Sequence, residues 1–164
     1  MNLYDSLKSA LYNSCTKLIT QNTVIFSHQG GQEPSGTYCA VNILRVDKIG
    51  SETDATYASS DGLTYELYSR NEYEATVRFM FVGQDAGNLA YEFESSMDNY
   101  AARFFFGTEN LAVMRKSEVR RVPERRETTW VENFTLDVVF SYAVETTQPI
   151  DIIEDVSWIG TIIP

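Results

Sequence analysis

Histidine and cysteine are scarce in this chain: one histidine, His28, and two cysteines, Cys15 and Cys39, in 164 residues. A single histidine excludes a multi-histidine zinc site. The cysteines sit in unrelated segments and belong to no Cys-x-x-Cys pair, so two reduced thiols are expected. Gly-x-Ser-x-Gly, His-Glu-x-x-His and Gly-x-x-x-x-Gly-Lys-Ser/Thr are all missing, which removes the common signatures of hydrolases, zinc proteases and nucleotide cradles. No run approaches the roughly 18 consecutive apolar residues of a membrane helix. Residues 1–8 show no basic stretch leading into an apolar one, so no export signal is expected. The sequon Asn133-Phe134-Thr135 falls inside an expected strand and is read as unmodified. Positive charge is short as well: 13 Lys and Arg stand against 23 Asp and Glu, a net charge of −10. That balance repels phosphate backbones and suits solubility, or a surface along which DNA passes without sticking.

What is present is enough apolar matter for one packed core, 43% hydrophobic and 13% aromatic residues, in a chain the size of one domain. Leu3, Leu7, Leu11 and Leu18, with Ala10 and Ser14 between them, form one stripe at helical spacing and predict a helix over 3–20. Asn2 is placed to cap it, and Asp5 lies near its positive end. Val24-Ile25-Phe26 is a short strand. His28 to Gly36 holds three glycines and a proline and reads as a loop rather than a phosphate cradle. Residues 38–49 are rich in β-formers. The polar stretch from Gly50 to Gly62 reads as a long loop, with pairing resuming near Tyr65.

Tyr73, Ala75, Val77, Phe79 and Phe81 alternate with polar residues, the period of a half-buried strand. Gly83 ends it and Asp85 can cap a second helix. In that helix Leu89, Phe93, Met97, Tyr100 and Phe104 predict one continuous buried stripe, closed by Gly107 in the left-handed conformation. A strand follows within 111–122. Then Trp130, Glu132, Phe134, Leu136, Val138, Phe140, Tyr142 and Val144 define one face of a long strand. The expected fold class is α+β: an antiparallel β-sheet or sandwich with two helices packed beside it. Residues 1–149 form the expected single domain and 150–164 an apolar C-terminal arm. Ile152, Ile153, Trp158 and Ile162 in that arm are too apolar to stay in water, so the arm folds onto its own core or docks on a neighbour.

One local charge feature stands against the acidic whole. Arg115, Lys116, Arg120, Arg121, Arg125 and Arg126 place six of the 13 basic residues within 115–126, interspersed with Glu118, Glu124 and Glu127. The run reads either as a solvated, self-neutralising edge or as a contact with another subunit or partner. Carboxylate pairs such as Glu72/Glu74 and Glu92/Glu94 read as solvated faces, and no catalytic, cofactor or metal residue is singled out.

The segment from Glu72 to Gly83, continued by Asp85-Ala86-Gly87-Asn88-Leu89-Ala90, resembles the phage neck/tail terminator (tail-completion) family. So does Trp130-Val131-Glu132-Asn133 and the strand running on to Tyr142, although members usually have a basic residue where this chain has Asn133. The helix at 3–20 and the run from Gly36 to Gly50 sit where that family has them, and the resemblance covers most of residues 1–146. It implies small α+β subunits in a hexameric ring that binds the last tail-tube ring and stops its growth. It also implies a surface for head-completion (neck) proteins, contact with sheath protein in a contractile tail, and a lumen that lets DNA through, with no cofactor and no catalysis. The implied location is the virion tail or neck, and the host cytoplasm during assembly. The alternatives are a head-closure, connector or head–tail adaptor protein, a small ligand- or peptide-binding α+β module, and an enzyme whose site has no known signature.

Overall fold

The computed structural model describes residues 2–28, 30–58, 65–126 and 129–150. The elements run α1 (Leu3–Leu18), β1 (Thr23–Phe26), β2 (Tyr38–Ala58), β3 (Tyr65–Val82), α2 (Ala86–Ser96), α3 (Tyr100–Thr108), β4 (Leu111–Lys116), β5 (Arg120–Arg121), β6 (Glu124–Arg126), β7 (Thr129–Val131) and β8 (Asn133–Ile150). The fold is α+β. Its main sheet has the order β1-β2-β3-β8-β4, with β5 also on β8, and β6 and β7 pair separately. The sheet is mostly antiparallel. The exception is β1, which pairs parallel with β2 from Thr23↔Tyr38 to Phe26↔Val41.

The chain clusters into two compact units, Met1–Gly50 with Glu72–Val144, and Ser51–Asn71 with Glu145–Pro164. In the first, the apolar face of α1 meets one face of the sheet. Leu7, Leu11 and Cys15 join Val77, Phe79, Phe81, Leu136, Val138 and Phe140 in one buried cluster. Asn2 caps α1 as expected, its side-chain oxygen accepting from the Tyr4 N–H at 3.3 Å. Aromatic rings bind the layers together: Phe93 lies 4.9 Å from Phe79 and 5.6 Å from Phe81, and Phe140 lies 5.1 Å from Phe106. Such pairs add about 0.5–1.5 kcal/mol each beyond burial. Ser14, the buried polar residue of α1, donates to the Phe105 carbonyl at 3.3 Å. Both cysteines are free and buried, and burial pushes the Cys15 thiol up to about 12.

The second helix differs from expectation. It is two helices, broken at 97–99, because Asn99 takes an extended conformation and its side chain accepts from the Ala102 N–H, starting α3 afresh. The break resets the phase of the stripe by two residues. Ala102 and Phe106 are buried, whereas Tyr100 and Phe104 are 83% and 55% exposed. Gly107 stays inside α3, and the left-handed residue that follows the helix is Asn110, φ 57°. Asp85 sits at the start of α2 but makes no side-chain cap bond.

The last strand is also broken. β7 ends at Val131 and pairs with β6 through Arg125↔Trp130, so Trp130 leaves the core face and stands 67% exposed. From Leu136 to Tyr142 the expected alternation holds, with Leu136, Val138, Phe140 and Tyr142 buried. On the opposite face of the sheet, Tyr38, Ala40 and Val82 form a smaller cluster with Ile25, Met80 and Val131.

In the second unit the loop expected over 50–62 is instead strand as far as Ala58, and 59–64 lie outside the described residues. Polar side chains do there what apolar ones do elsewhere. Ser69 donates to Asp54 at 2.7 Å, Asn71 donates to Glu52 at 3.0 Å, and Tyr57 meets Tyr68 edge-on at 6.3 Å. Arg70 pairs with Glu145 at 3.3 Å. No described residue of this unit is buried, so cross-strand pairs worth about 0.2–1 kcal/mol each are what hold it.

Candidate functional site

The basic run divides between the two faces of the sheet. β4 pairs antiparallel with β8, but a bulge between Val113 and Arg115 leaves Met114 without a partner, so Arg115 faces Val139 and Lys116 faces Val138. A bulge adds one residue and re-aims those beyond it. Lys116 thereby reaches the helix side, where it pairs with Glu94 at 2.6 Å and Asp98 at 2.5 Å. Desolvation works against its charge, but the hydrogen bonds it donates to Asp98 and Glu94 outweigh it and the pKa is raised. Arg115 takes the other face and reaches Glu74 at 2.9 Å. In β5, Arg120 lies opposite Thr135 and Arg121 opposite Phe134, again on opposite faces. Arg121 pairs with Glu132 at 2.7 Å. Arg125 is exposed on β6, and Arg126 lies beside it in the same strand. The structure thus spreads the run over three strands of two sheets and neutralises Arg115, Lys116 and Arg121 locally. Ile152, Ile153, Trp158 and Ile162 lie outside the described residues.

Sequence reasoning missed the best-formed polar contact. Arg78 on β3 grips Asp137 on β8 in bidentate fashion, Nε to Oδ1 at 2.7 Å and a terminal nitrogen to Oδ2 at 2.9 Å. Ser117 holds the same place on β8, donating its N–H to the Asp137 carbonyl at 2.8 Å and accepting from the Asp137 N–H at 3.0 Å. The alternation puts both charged residues on the outward face; what it could not give is that β3 and β8 are neighbours. Hydrogen bonding to Arg78 holds the Asp137 carboxyl below the usual range, with desolvation opposing and the charges of Arg78 and Arg120 adding. A depressed carboxylate pKa stabilises the fold above the unfolded value, about 3.9, and that contribution is lost as pH falls through the folded value. Asp137→Asn is therefore expected to flatten the acid limb of the stability curve below about pH 4 while the neutral region shifts by a constant amount; urea midpoints between pH 2 and 7 measure it. An unchanged acid limb would show that the pair contributes nothing.

Among the described residues, no group of three or more His, Cys, Asp or Glu could hold a metal ion. Of the carboxylate pairs Glu72/Glu74 and Glu92/Glu94, Glu74 is bound by Arg115 and Glu94 by Lys116. A groove of about 380 Å³ lies along β4 beside α3 and is lined by Met97, Arg103, Phe106, Gly107, Leu111 and Val113, among others. Its polar groups are Asp98 and Arg103, and Asp98 is already bound to Lys116.

The fold is that of a small α+β protein. No curated protein sequence matches the chain. Over residues 1–163 it matches the phage neck terminator proteins, and it belongs to that family. It is accordingly a structural component of the phage neck, and so of the virion. Among solved structures, a chain from the virion of a native gene transfer agent particle is similar at 14% identity, with 88% of this chain and 98% of that one covered and a TM-score of 0.28. The type 4 fimbrial biogenesis protein PilO from Pseudomonas aeruginosa is similar at 6% identity, with 88% and 69% covered and a TM-score of 0.27.

Proposed function

We propose that copies of this chain close into a ring, a hexamer, that caps the phage tail tube, ends its growth and joins it to the head. The observation that carries this reading is the family match across nearly the whole chain. The partners are the chain itself, the tail-tube protein, a head-completion protein and, in a contractile tail, the sheath protein. No bond is made or broken at the subunit. Residues 1–149 are the body of the ring and 150–164 its arm. The net charge of −10 lets DNA pass when acidic side chains line the bore, because such a wall gives phosphates nothing to hold. Assembly takes place in the host cytoplasm.

The subunit contact draws on Arg115, Lys116, Arg120, Arg121, Arg125 and Arg126, with Ile152, Ile153, Trp158 and Ile162 of the arm. The test is to mix purified protein with tail tubes and to follow capping by electron microscopy and subunit number by native mass spectrometry. Sixfold rings at tube ends are expected, and tubes that stay bare would end the proposal. Arg120→Glu with Arg121→Glu is expected to weaken ring formation roughly tenfold or more, as like-charge juxtaposition in an interface costs several kcal/mol. Unchanged rings would remove these two arginines from the contact.

A further inference from the structure

β4 is the last strand of the main sheet, so one row of its backbone N–H and C=O groups has no strand partner among the described residues. An open edge can take up another strand, here along the six residues of β4. Beside this edge runs the groove between α3 and β4, floored by Phe106 and Leu111, both nearly fully buried, and left open at Gly107. A Cβ built on Gly107 meets nothing within 4 Å. Arg103 stands at its rim, exposed and with no side-chain partner among the described residues. An open backbone edge, an apolar trough beside it and one free cation are what an extended apolar peptide carrying acidic residues requires.

The chain itself contains such a peptide. Residues 151–164 read Asp-Ile-Ile-Glu-Asp-Val-Ser-Trp-Ile-Gly-Thr-Ile-Ile-Pro. Half of these fourteen residues are isoleucine, valine or tryptophan, more apolar surface than a free tail keeps in water. Asp151, Glu154 and Asp155 supply the charge that Arg103 lacks. We infer that residues 151–164 of one copy add as a strand to the β4 edge of a second copy, with their apolar side chains in the α3–β4 groove. The proposal rests on the ring reading. A ring closes through a heterologous contact, in which two different patches meet, and arm and groove are two different patches of one chain.

The test uses full-length chains. A chain carrying Trp158→Asp and Ile162→Asp keeps the groove and loses the arm; a chain carrying Gly107→Phe keeps the arm and fills the groove. Gly107 is helical and its φ is not positive, so the second change leaves the thermal midpoint unchanged or raised. A fluorescent peptide of residues 151–164 is expected to bind the first chain, at least tenfold more weakly once Gly107→Phe is added, and more weakly with Arg103→Glu. Mixed in equal amounts, the two variant chains are expected to pair, while each alone does not. Equal peptide binding with and without Gly107→Phe, or no binding, overturns the inference. Peptide binding without pairing of the variants gives the groove to the arm of the same copy, and also overturns it. Wild type and Gly107→Phe forming equal rings would sink the arm contact and leave the ring standing. Wild type that never rings on tail tubes would sink the ring itself.

Discussion

Phe140→Ala is expected to lower the unfolding free energy by about 3–5 kcal/mol, the usual cost of emptying a buried phenylalanine site. The residue is fully buried on the central strand β8, its ring 5.1 Å from Phe106 and 6.3 Å from Phe79. It therefore touches α3 on one side and β3 on the other, and neither can collapse into the space without breaking the packing of the other. Against a typical total of about 5–15 kcal/mol, the loss is a large share of the stability and shifts the thermal midpoint by roughly 6–20 °C. Urea denaturation gives the figure directly. Trp130→Ala is the contrast: it stands on the same face by sequence alternation, yet is 67% exposed, and should change stability by no more than about 0.5 kcal/mol. Equal losses at the two positions would mean that the strand is not broken at Glu132.

Gly83→Ala is expected to cost roughly 2–4 kcal/mol, from backbone strain and overpacking together. Gly83 has φ 122°, and a Cβ there would lie 2.7 Å from the Thr37 Cα and 3.0 Å from the Gly36 carbonyl oxygen. Both are backbone atoms of the turn into β2, and they have nowhere to go. The turn is also held from the other side, since the Gly83 N–H donates to the Glu132 carbonyl at 3.1 Å and the Asp85 N–H donates to the Thr37 hydroxyl at 3.3 Å. Gly30→Ala makes the control, because Gly30 has φ 68° and open space around it and should lose only the conformational term, about 1–2 kcal/mol. Thermal melts of both variants separate the two causes. A Gly83→Ala protein as stable as Gly30→Ala would show that the strand end moves freely.

Much of the fold was legible because its signals were local. The leucine stripe of α1, the alternation of Ala75 to Phe81 and that of Leu136 to Tyr142 each follow from the period of one element. The α2–α3 break escaped because Tyr100 and Phe104 continue the spacing of Phe93 and Met97; one side-chain cap at Asn99 overruled four apolar residues. The polar run after Gly50 looked like a loop because its strand partners are polar as well, and composition does not reveal a ladder. Of the candidate site, the cations of 115–126 were visible as charges. Their division between two faces was not, since it depends on which residues of β8 lie opposite and on one unpaired methionine. The Arg78–Asp137 grip needed the order of the strands, which no single segment carries.

That methionine sets a length rule for the sheet's last strand. With Met114 held out of the ladder, Arg115 and Lys116 lie where a regular strand lacking Met114 would put them. Were Met114 drawn into line instead, Arg115 would turn toward the helices and Lys116 away from them, leaving Glu74 on one side and Glu94 and Asp98 on the other without their counterions. The surplus residue is a spacer that keeps two adjacent cations from trading places, so the strand can dispense with Met114 more readily than it can absorb it.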